Sequence, residues 1–434
     1  MKVKTTKILC GVLAMLAFTA CSSNIDDADG NHPQVWHVTL QASMGDEITR
    51  ALSEGTGNAI IASFAENDEV VVVDADGSTI VGTLKAQSAG ASTTLTGTLD
   101  AKSLVKDEVV TLRYRSATAN YDSQAGTLAG IAASQDYEEG TLTVSSVEPL
   151  TFTSNSVTLR AKQSITKFTF KDASTNANIS VKTFGIAAAG LVRSIAADAT
   201  STETVGAVTG TLATASSDVY VALRKNTDAK QAYSFTIKDN DGNWYTGTKN
   251  AKLTNGKNYT ATVTLTKLPA LAKSDAVGTI GVVGGLPAIV IGDNKAVALM
   301  NTGALCPEAY GTYLTYANRE SGLDNGWYVP TQAELVSLAG FSRSWGAPNG
   351  VNGRTFTIGS NTLFLPAAGY YDNDTTDDSN PNRMLFDVST YGYYWSQTPS
   401  SGMAYKLLFS DSYIQIYSEY TVNELTVRPF HALN

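Results

Sequence analysis

The sequence predicts a mainly β protein: two β-sandwiches in tandem, followed by an α+β domain. Three observations carry this expectation. From about residue 36 to 267 the chain is a succession of short alternating segments rich in Val, Thr, Ile and Tyr and bounded by Gly, Asn, Asp and Ser, the pattern of half-buried strands joined by tight turns. Past Pro269 the composition shifts towards Gly, Pro, Trp and Tyr, and a well-marked helix start appears. Of the three cysteines, Cys10 falls in an apolar leader and Cys21 at its end, leaving Cys306 without a partner, so the 434 residues must rest on packed cores and not on a disulfide framework.

The N-terminus comes first. Lys2, Lys4 and Lys7 precede an apolar run at 8–18 that is too short to span a membrane and reads as a secretory signal peptide, residues 1–20. The run ends in Phe18-Thr19-Ala20-Cys21. A cysteine directly after small residues at this place is the arrangement that bacterial lipoprotein processing uses, which makes Cys21 the expected lipidation site. Residues 21–35 then form a tether with the acidic cluster Asp26, Asp27 and Asp29, similar to the signal that Bacteroidales use to place lipoproteins on the outer face of the outer membrane. Acyl chains contribute about 0.8 kcal/mol per buried methylene, so durable anchoring needs more than one chain, which a lipidated Cys21 supplies. The net charge of −9 becomes more negative once the leader lysines are lost. This argues against nucleic acid and anionic lipid as partners and leaves the lipid anchor as the membrane contact.

Strands follow in order: "WHVTLQA", "DEVVVVDADG", "EVVTLRYR", "SVTLRA", "SITKFTF", "VYVALR", "YSFTIKD", "NWYTGT" and "NYTATVTL". Two Asp-Gly turns, at 74–77 and within 238–244, predict local hairpins because both residue types accept positive φ. The Ala-, Thr- and Ser-rich stretch 187–218 is weakly patterned and predicts loops with one or two short strands. The segments "VTLQASMGDEITRAL", "FAENDEVVVVD", "LRAKQSITKFTFKD" and "DNDGNWYTGTKNAKLTNGKNYTATVTL" resemble the fimbrillin family of Bacteroidales over about 36–267. The resemblance implies one sandwich at 36–157 and a second at 158–267. It also implies cleavage after the first strand at Arg50, in "GDEITRALSEG", which would release the anchor and open a groove for a strand donated by another fimbrial subunit.

After a linker at 268–275 comes the last domain, 276–434. "LPAIVIGDNKAVALM" predicts two strands about Gly292-Asp293-Asn294. Pro307 and Glu308, with Ala309, Tyr310, Tyr313, Leu314 and Ala317 on one face, predict a helix. Thr331 and Glu334 form a capping box ahead of Leu335, Leu338 and Ala339, with Gly340 as the stop. The pattern then returns to strands. "GWYVPTQAEL", "LFLPAAGYYD", "GYYWSQTPSSGMAYKLLFS" and "LTVRPF" resemble, in order and spacing, the Fibrobacter succinogenes major paralogous domain, which implies a C-type-lectin-like fold.

Within that domain "YGYYWSQ" is expected to be a central strand, with Tyr391, Tyr393 and Trp395 on one face and Tyr394 on the other. Trp395 reads as core, while Tyr391, Tyr393 and the nearby Tyr371 are candidates for stacking on a glycan or on a host protein. The acidic loop offers Asp372, Asp374, Asp377 and Asp378 as further ligand-binding candidates. It lacks the Gly and terminal Glu of an EF-hand and reads first as a solvated loop, with Ca²⁺ as the weaker alternative and no other metal or cofactor expected. No nucleophile elbow, zinc motif or phosphate loop is present, the three histidines, His32, His37 and His431, are scattered, and formylglycine-generating chemistry would need a cysteine pair that this domain lacks. No catalytic residue is therefore assigned, and the protein is expected not to be an enzyme. The expectation is a surface lipoprotein of fimbrial type, exposed on the outer membrane or released into fimbriae, with a lectin-like head at the tip of the filament. The tip placement rests on the small number of residues after "LTVRPF". A purely structural subunit is the alternative, and a surface glycan hydrolase using two carboxylates is the third reading.

Overall fold

The computed structural model describes residues 35–45, 53–54, 60–61, 63–77, 79–114, 118–195, 203–373 and 384–434. It is mainly β, as expected. In the first unit the leading strand Val35–Met44 pairs antiparallel along nearly its whole length with Ser92–Asp100, and its second half pairs parallel with Ser156–Leu159. Alternation turns Val38, Leu40 and Ala42 inward. The predicted turn at 74–77 joins Glu69–Val73 to Ile80–Ala86, with Gly77 at φ 76°. Val109–Tyr114 and Ser156–Ala161 both pair with Glu138–Val147, so the sheet closes on itself around a core that includes Leu84, Leu95, Leu99 and Tyr114. The strand Ser156–Ala161 stays wholly in this sheet, past the boundary expected at 157, and the second sheet opens at Ser164.

The stretch 118–137, expected in the first sandwich, packs into the second. Ala119 and Asn120 pair with Ile195 and Ser194, and Tyr121, Ile131 and Tyr137 join the second core. Gln124 is fully buried there. Its amide donates to the carbonyls of Tyr121 (2.8 Å) and Ala222 (2.7 Å) and accepts from the Ala222 N–H (2.9 Å). The chain then forms an unanticipated helix, Leu128–Ser134, capped by Thr127, whose hydroxyl accepts from the Gly130 N–H at 3.1 Å. Strand alternation reports an inward and an outward face but not which sheet the inward face meets.

An ionic group marks the seam between these two units. Glu139 lies 3.4 Å from Arg113 and 2.9 Å from Lys162, and it accepts the Tyr137 hydroxyl at 2.7 Å. Burial alone would raise its pKa; Lys162, Tyr137 and Arg113 outweigh burial and hold the carboxyl below its ordinary value.

The second sheet runs from Glu203–Val205 to Val208–Ser216 through Ser164–Asp172, which lies between Asp218–Lys225 and Asn258–Lys267. The predicted hairpin joins Gln231–Asp239 to Trp244–Ala251, its turn held by Asp239 accepting from the N–H groups of Asp241 and Asn243. The stretch 187–218 holds Leu191–Ile195, Glu203–Val205 and the whole of Val208–Ser216, more strand than its composition suggested.

In the last domain the hairpin Leu286–Gly292/Lys295–Ala298 turns through Asp293 and Asn294, at φ 50° and 52°. The capping box forms as predicted at the head of Gln332–Ala339. The helix expected across 307–317 does not form. Gly311 stands at φ 78°, and a Cβ there would lie 2.5 Å from the Thr302 carbonyl, so the segment starts with a turn, continues into the short strand Leu314–Thr315, paired with Glu424–Leu425, and ends in the 3₁₀ turn Tyr316–Asn318. Its aromatic residues are buried all the same, Tyr310 against Val351 and Ala368 with Tyr313 beside them.

Replacing Gln124 by Ala would leave both main-chain groups of Ala222 without that partner in the second core. We expect a loss of about 2–6 kcal/mol in urea unfolding, from the usual cost of about 1–3 kcal/mol per unpaired buried group. The depressed Glu139 pKa implies stability that is present above the ordinary value of 4.5 and lost as pH falls through the folded value. Glu139→Gln should accordingly flatten the acid side of the stability profile, and an unaltered acid limb in pH-dependent melts would contradict this account of the seam.

Candidate functional site: an aromatic face on the last domain

The strand Gly392–Ser400 lies beside Met403–Phe409, which in turn pairs with the edge strand Ile414–Tyr420. A parallel bridge joins Tyr394 to Thr426 on its other side. The predicted alternation is present. Tyr394 is fully buried in one cluster, donates to the Pro366 carbonyl at 2.7 Å and stacks on Phe409 with centroids 5.8 Å apart. Trp395 is fully buried in the opposite cluster, its indole N–H on the Leu314 carbonyl at 2.6 Å.

Tyr393 was a candidate for ligand contact, and the structure makes it part of the core. It is 7% exposed, its hydroxyl donates to Asp387 at 2.5 Å, Tyr370 packs 4.8 Å from its ring, and the Lys406 ammonium sits 4.5 Å over it. Burial first, and the bond to Asp387 second, push its phenol pKa well above the usual range. With the ring enclosed and the hydroxyl committed, no face is left for a ligand.

Tyr391 is half-buried and remains at the surface. Its ring lies 6.1 Å from Tyr393 and 6.2 Å from Tyr413. From Tyr413 the face continues along the edge strand, where pairing sets Gln415 opposite Leu408 and Tyr417 opposite Lys406, on the side of the sheet that carries Tyr393 and Trp395. Tyr413 is 38% exposed and Tyr417 is 58% exposed. Tyr413 immediately precedes the strand and Tyr417 lies within it, a separation of about 13 Å of extended chain. Beneath them Lys406 donates to Glu419, whose other oxygen accepts from Asn423 at 3.2 Å, so the charges under the face are paired and largely buried. Sequence reading recognised "YIQIYS" as a strand but missed Tyr413 and Tyr417. The available signal was the recurrence of Tyr at an even spacing, which puts both on one side of a strand.

Tyr371 and Asp372 are elsewhere on the domain. Both are half-buried, in a short strand pair with Met384–Phe386, and Tyr371 meets Tyr313 edge-on at 4.9 Å. This pair reaches the aromatic cluster through Tyr370, which lies between Phe386 and Tyr393. Asp374, Asp377 and Asp378, like Cys21 and Arg50, lie outside the described residues. Among the described residues no group of three or more His, Cys, Asp or Glu is placed to hold a metal ion, and no helix is long and apolar enough to cross a membrane.

Chemically, the face offers two exposed phenol rings and one half-buried ring with an amide between them, over a neutralised ion pair. Such a surface suits the apolar face of a sugar ring or the side chains of a protein partner.

Residues 358–430 match the model of a domain of unknown function, DUF8237, which covers the strand Gly392–Ser400 and the edge strand. No curated protein matches the chain. Among solved structures, a candidate cell adhesion protein from Bacteroides uniformis is similar at 14% identity, over 56% of this chain and 98% of that one, with a TM-score of 0.33. A fimbrial assembly protein from Parabacteroides distasonis is similar at 13% identity, over 52% of this chain and 90% of that one, with a TM-score of 0.26. The shaft pilin SpaA of Lactobacillus rhamnosus GG is similar at 13% identity, over 55% of this chain and 99% of that one, with a TM-score of 0.24. Scores of this size do not establish a shared fold.

Proposed function

We propose that this protein is a cell-surface adhesion subunit of fimbrial type, anchored through a lipidated Cys21, with the last domain as a lectin-like head that binds a glycan or a host surface protein. The observation that carries the reading is the aromatic face. Tyr413, just before the edge strand, and Tyr417, on it, face solvent beside Tyr391, while Ile414 and Ile416 on the strand's other side pack against the core. Tyrosines give large contact area at small entropic cost, which suits recognition.

Assembly is assigned to the first unit. The leading strand Val35–Met44 lies wholly on the N-terminal side of Arg50 and is held between Ser92–Asp100 and Ser156–Ala161 by ladder bonds and by Val38, Leu40 and Ala42. Cleavage at Arg50 would leave that strand attached by non-covalent contacts alone. Its departure would uncover main-chain donors and acceptors on both neighbours, which a strand from another subunit can satisfy. The second sandwich keeps its own last strand, Asn258–Lys267, paired on both sides. That arrangement supports a place at the filament tip, where a subunit accepts a strand and need not offer one.

Two measurements test these readings. Tyr413→Ala combined with Tyr417→Ala should leave the melting temperature nearly unchanged, because both rings are exposed. It should lower binding of the full chain on a glycan array or to host cells by roughly tenfold or more, the size expected when aromatic anchors are removed. Full retention of binding would sink the assignment of the face. For assembly, mass spectrometry of material sheared from the surface should find chains beginning at Ala51, and Arg50→Ala should shift them back to Cys21. Wild-type chains that all begin at Cys21 would count against processing.

A further inference from the structure

The last domain seats tightly on the second sandwich. Cys306 is buried against Ala187 and Ala207, and it lies so close to Gly185 that a Cβ there would come within 2.5 Å of its own Cβ. Asn349 donates to Ser234 at 3.2 Å and to Glu308 at 2.6 Å, and the Trp244 indole donates to the Gly285 carbonyl at 2.8 Å. Beside this fitted seat a cavity of about 180 Å³ remains, walled by Asp122, Arg193 and Thr209 from one unit and by Glu308 and Tyr310 from the other.

The polar groups of this cavity are held in place but not used up. Asp122 accepts from the Thr209 N–H (3.1 Å) and hydroxyl (2.5 Å) and from the Arg193 Nε–H (3.1 Å). The guanidinium is steadied a second time by the Tyr310 ring, 5.7 Å away. Its terminal nitrogens make no hydrogen bond among the described residues, so a two-pronged donor is aimed by the fold and left open. Glu308 is 8% exposed and contributes a carboxyl held by Asn349. Ser123, which follows Asp122 on the cavity wall, stands at φ 58°, a conformation that costs a non-glycine residue energy and that clusters at ligand sites.

These groups discriminate among ligand classes. An anion would meet two carboxylates and a guanidinium already paired with one of them, within a chain of net charge −9. An apolar molecule would strand the buried Glu308 carboxyl without water. A sugar hydroxyl both donates and accepts, so it can accept from a guanidinium N–H and donate to a carboxyl oxygen, while the buried Tyr310 ring backs the guanidinium. We infer that this interdomain cavity is a binding site for one neutral sugar residue, with Arg193 as donor and Glu308 as acceptor. The site is separate from the aromatic face and does not depend on that assignment.

The test is titration of the full chain with galactose, glucose, mannose, N-acetylglucosamine and N-acetylneuraminic acid by ligand-observed NMR, up to about 20 mM, the range of weak single-residue binding. At least one neutral sugar should saturate. Arg193→Lys, which keeps the ion pair with Asp122 but loses the fork, should weaken it by roughly tenfold, or about 1.4 kcal/mol. The Tyr413→Ala/Tyr417→Ala variant should bind it as the wild type does. Three results would overturn the inference: saturation by none of the neutral sugars, binding of N-acetylneuraminic acid alone, or binding that survives Arg193→Lys and vanishes with the two tyrosines.

Discussion

The side-chain amide of Gln124 substitutes for a stretch of main chain, and the arrangement of the first two units depends on it. Asp218–Lys225 is paired with Ser164–Asp172 along one side, while over Ala222 the other side is met by a single glutamine that both donates and accepts. A main-chain pair left unmatched at that depth would cost more than any one apolar contact nearby returns. The crossing segment is therefore obligatory to the second core although both its ends belong to the first sheet. The chain changes unit between the strand Val109–Tyr114 and the pair Ala119–Asn120, again at 137–138 and at 161–164, and the Glu139 group sits beside the last two. Arg224 closes the same region, bonded to Glu203 at 2.8 Å and lying over the Tyr137 ring. Units joined in this way resist separation far better than two sandwiches on a single linker.

The last domain solves a related problem with a buried cation. Arg428 is fully buried and donates to the carbonyls of Ala298 (3.1 Å) and Phe364 (3.0 Å), two segments that share no ladder. Burial draws its pKa down to about 10, so the group stays charged at neutral pH and its desolvation must be met by those carbonyls and by Tyr394. One side chain thus fixes the distance between two sheets, and the aromatic strand between them can bury Tyr394 and Trp395 on opposite faces.

Much of this was legible in local chemistry. The Asp-Gly turns, the Asp293-Asn294 turn and the Thr331–Glu334 capping box each act within a few residues, and each appears where the sequence places it. The alternation through Tyr391–Trp395 was legible for the same reason. What failed was information that local pattern does not carry. The apolar spacing at 307–317 suits a helix, but Gly311 takes a left-handed φ, and the same face is packed by a turn and a short strand instead. Residues 119–137 satisfy strand and helix rules while belonging to another unit's core. Tyr393 and Tyr417 both sit on one face of one sheet, yet the first is enclosed by Tyr370 and the second is open, a difference set by whether a neighbouring strand pair covers it.

That difference bears on function. An edge strand with β-branched and aromatic residues is a liability, because its free main chain can recruit other strands. Here the inner side of Ile414–Tyr420 is sealed by Ile414 and Ile416 against the core, and a charge, Glu419, is drawn inward to Lys406. The strand is thus locked in register and one of its charges is spent internally. Tyr413 and Tyr417 are left facing water over a surface with little net charge. A fold under pressure only to remain soluble would place charged side chains at those two positions. The aromatic choice raises the risk of unwanted association and adds nothing to the core. A gain in recognition offsets that risk, and the edge strand is accordingly where the head of this protein meets its ligand in the proposed reading.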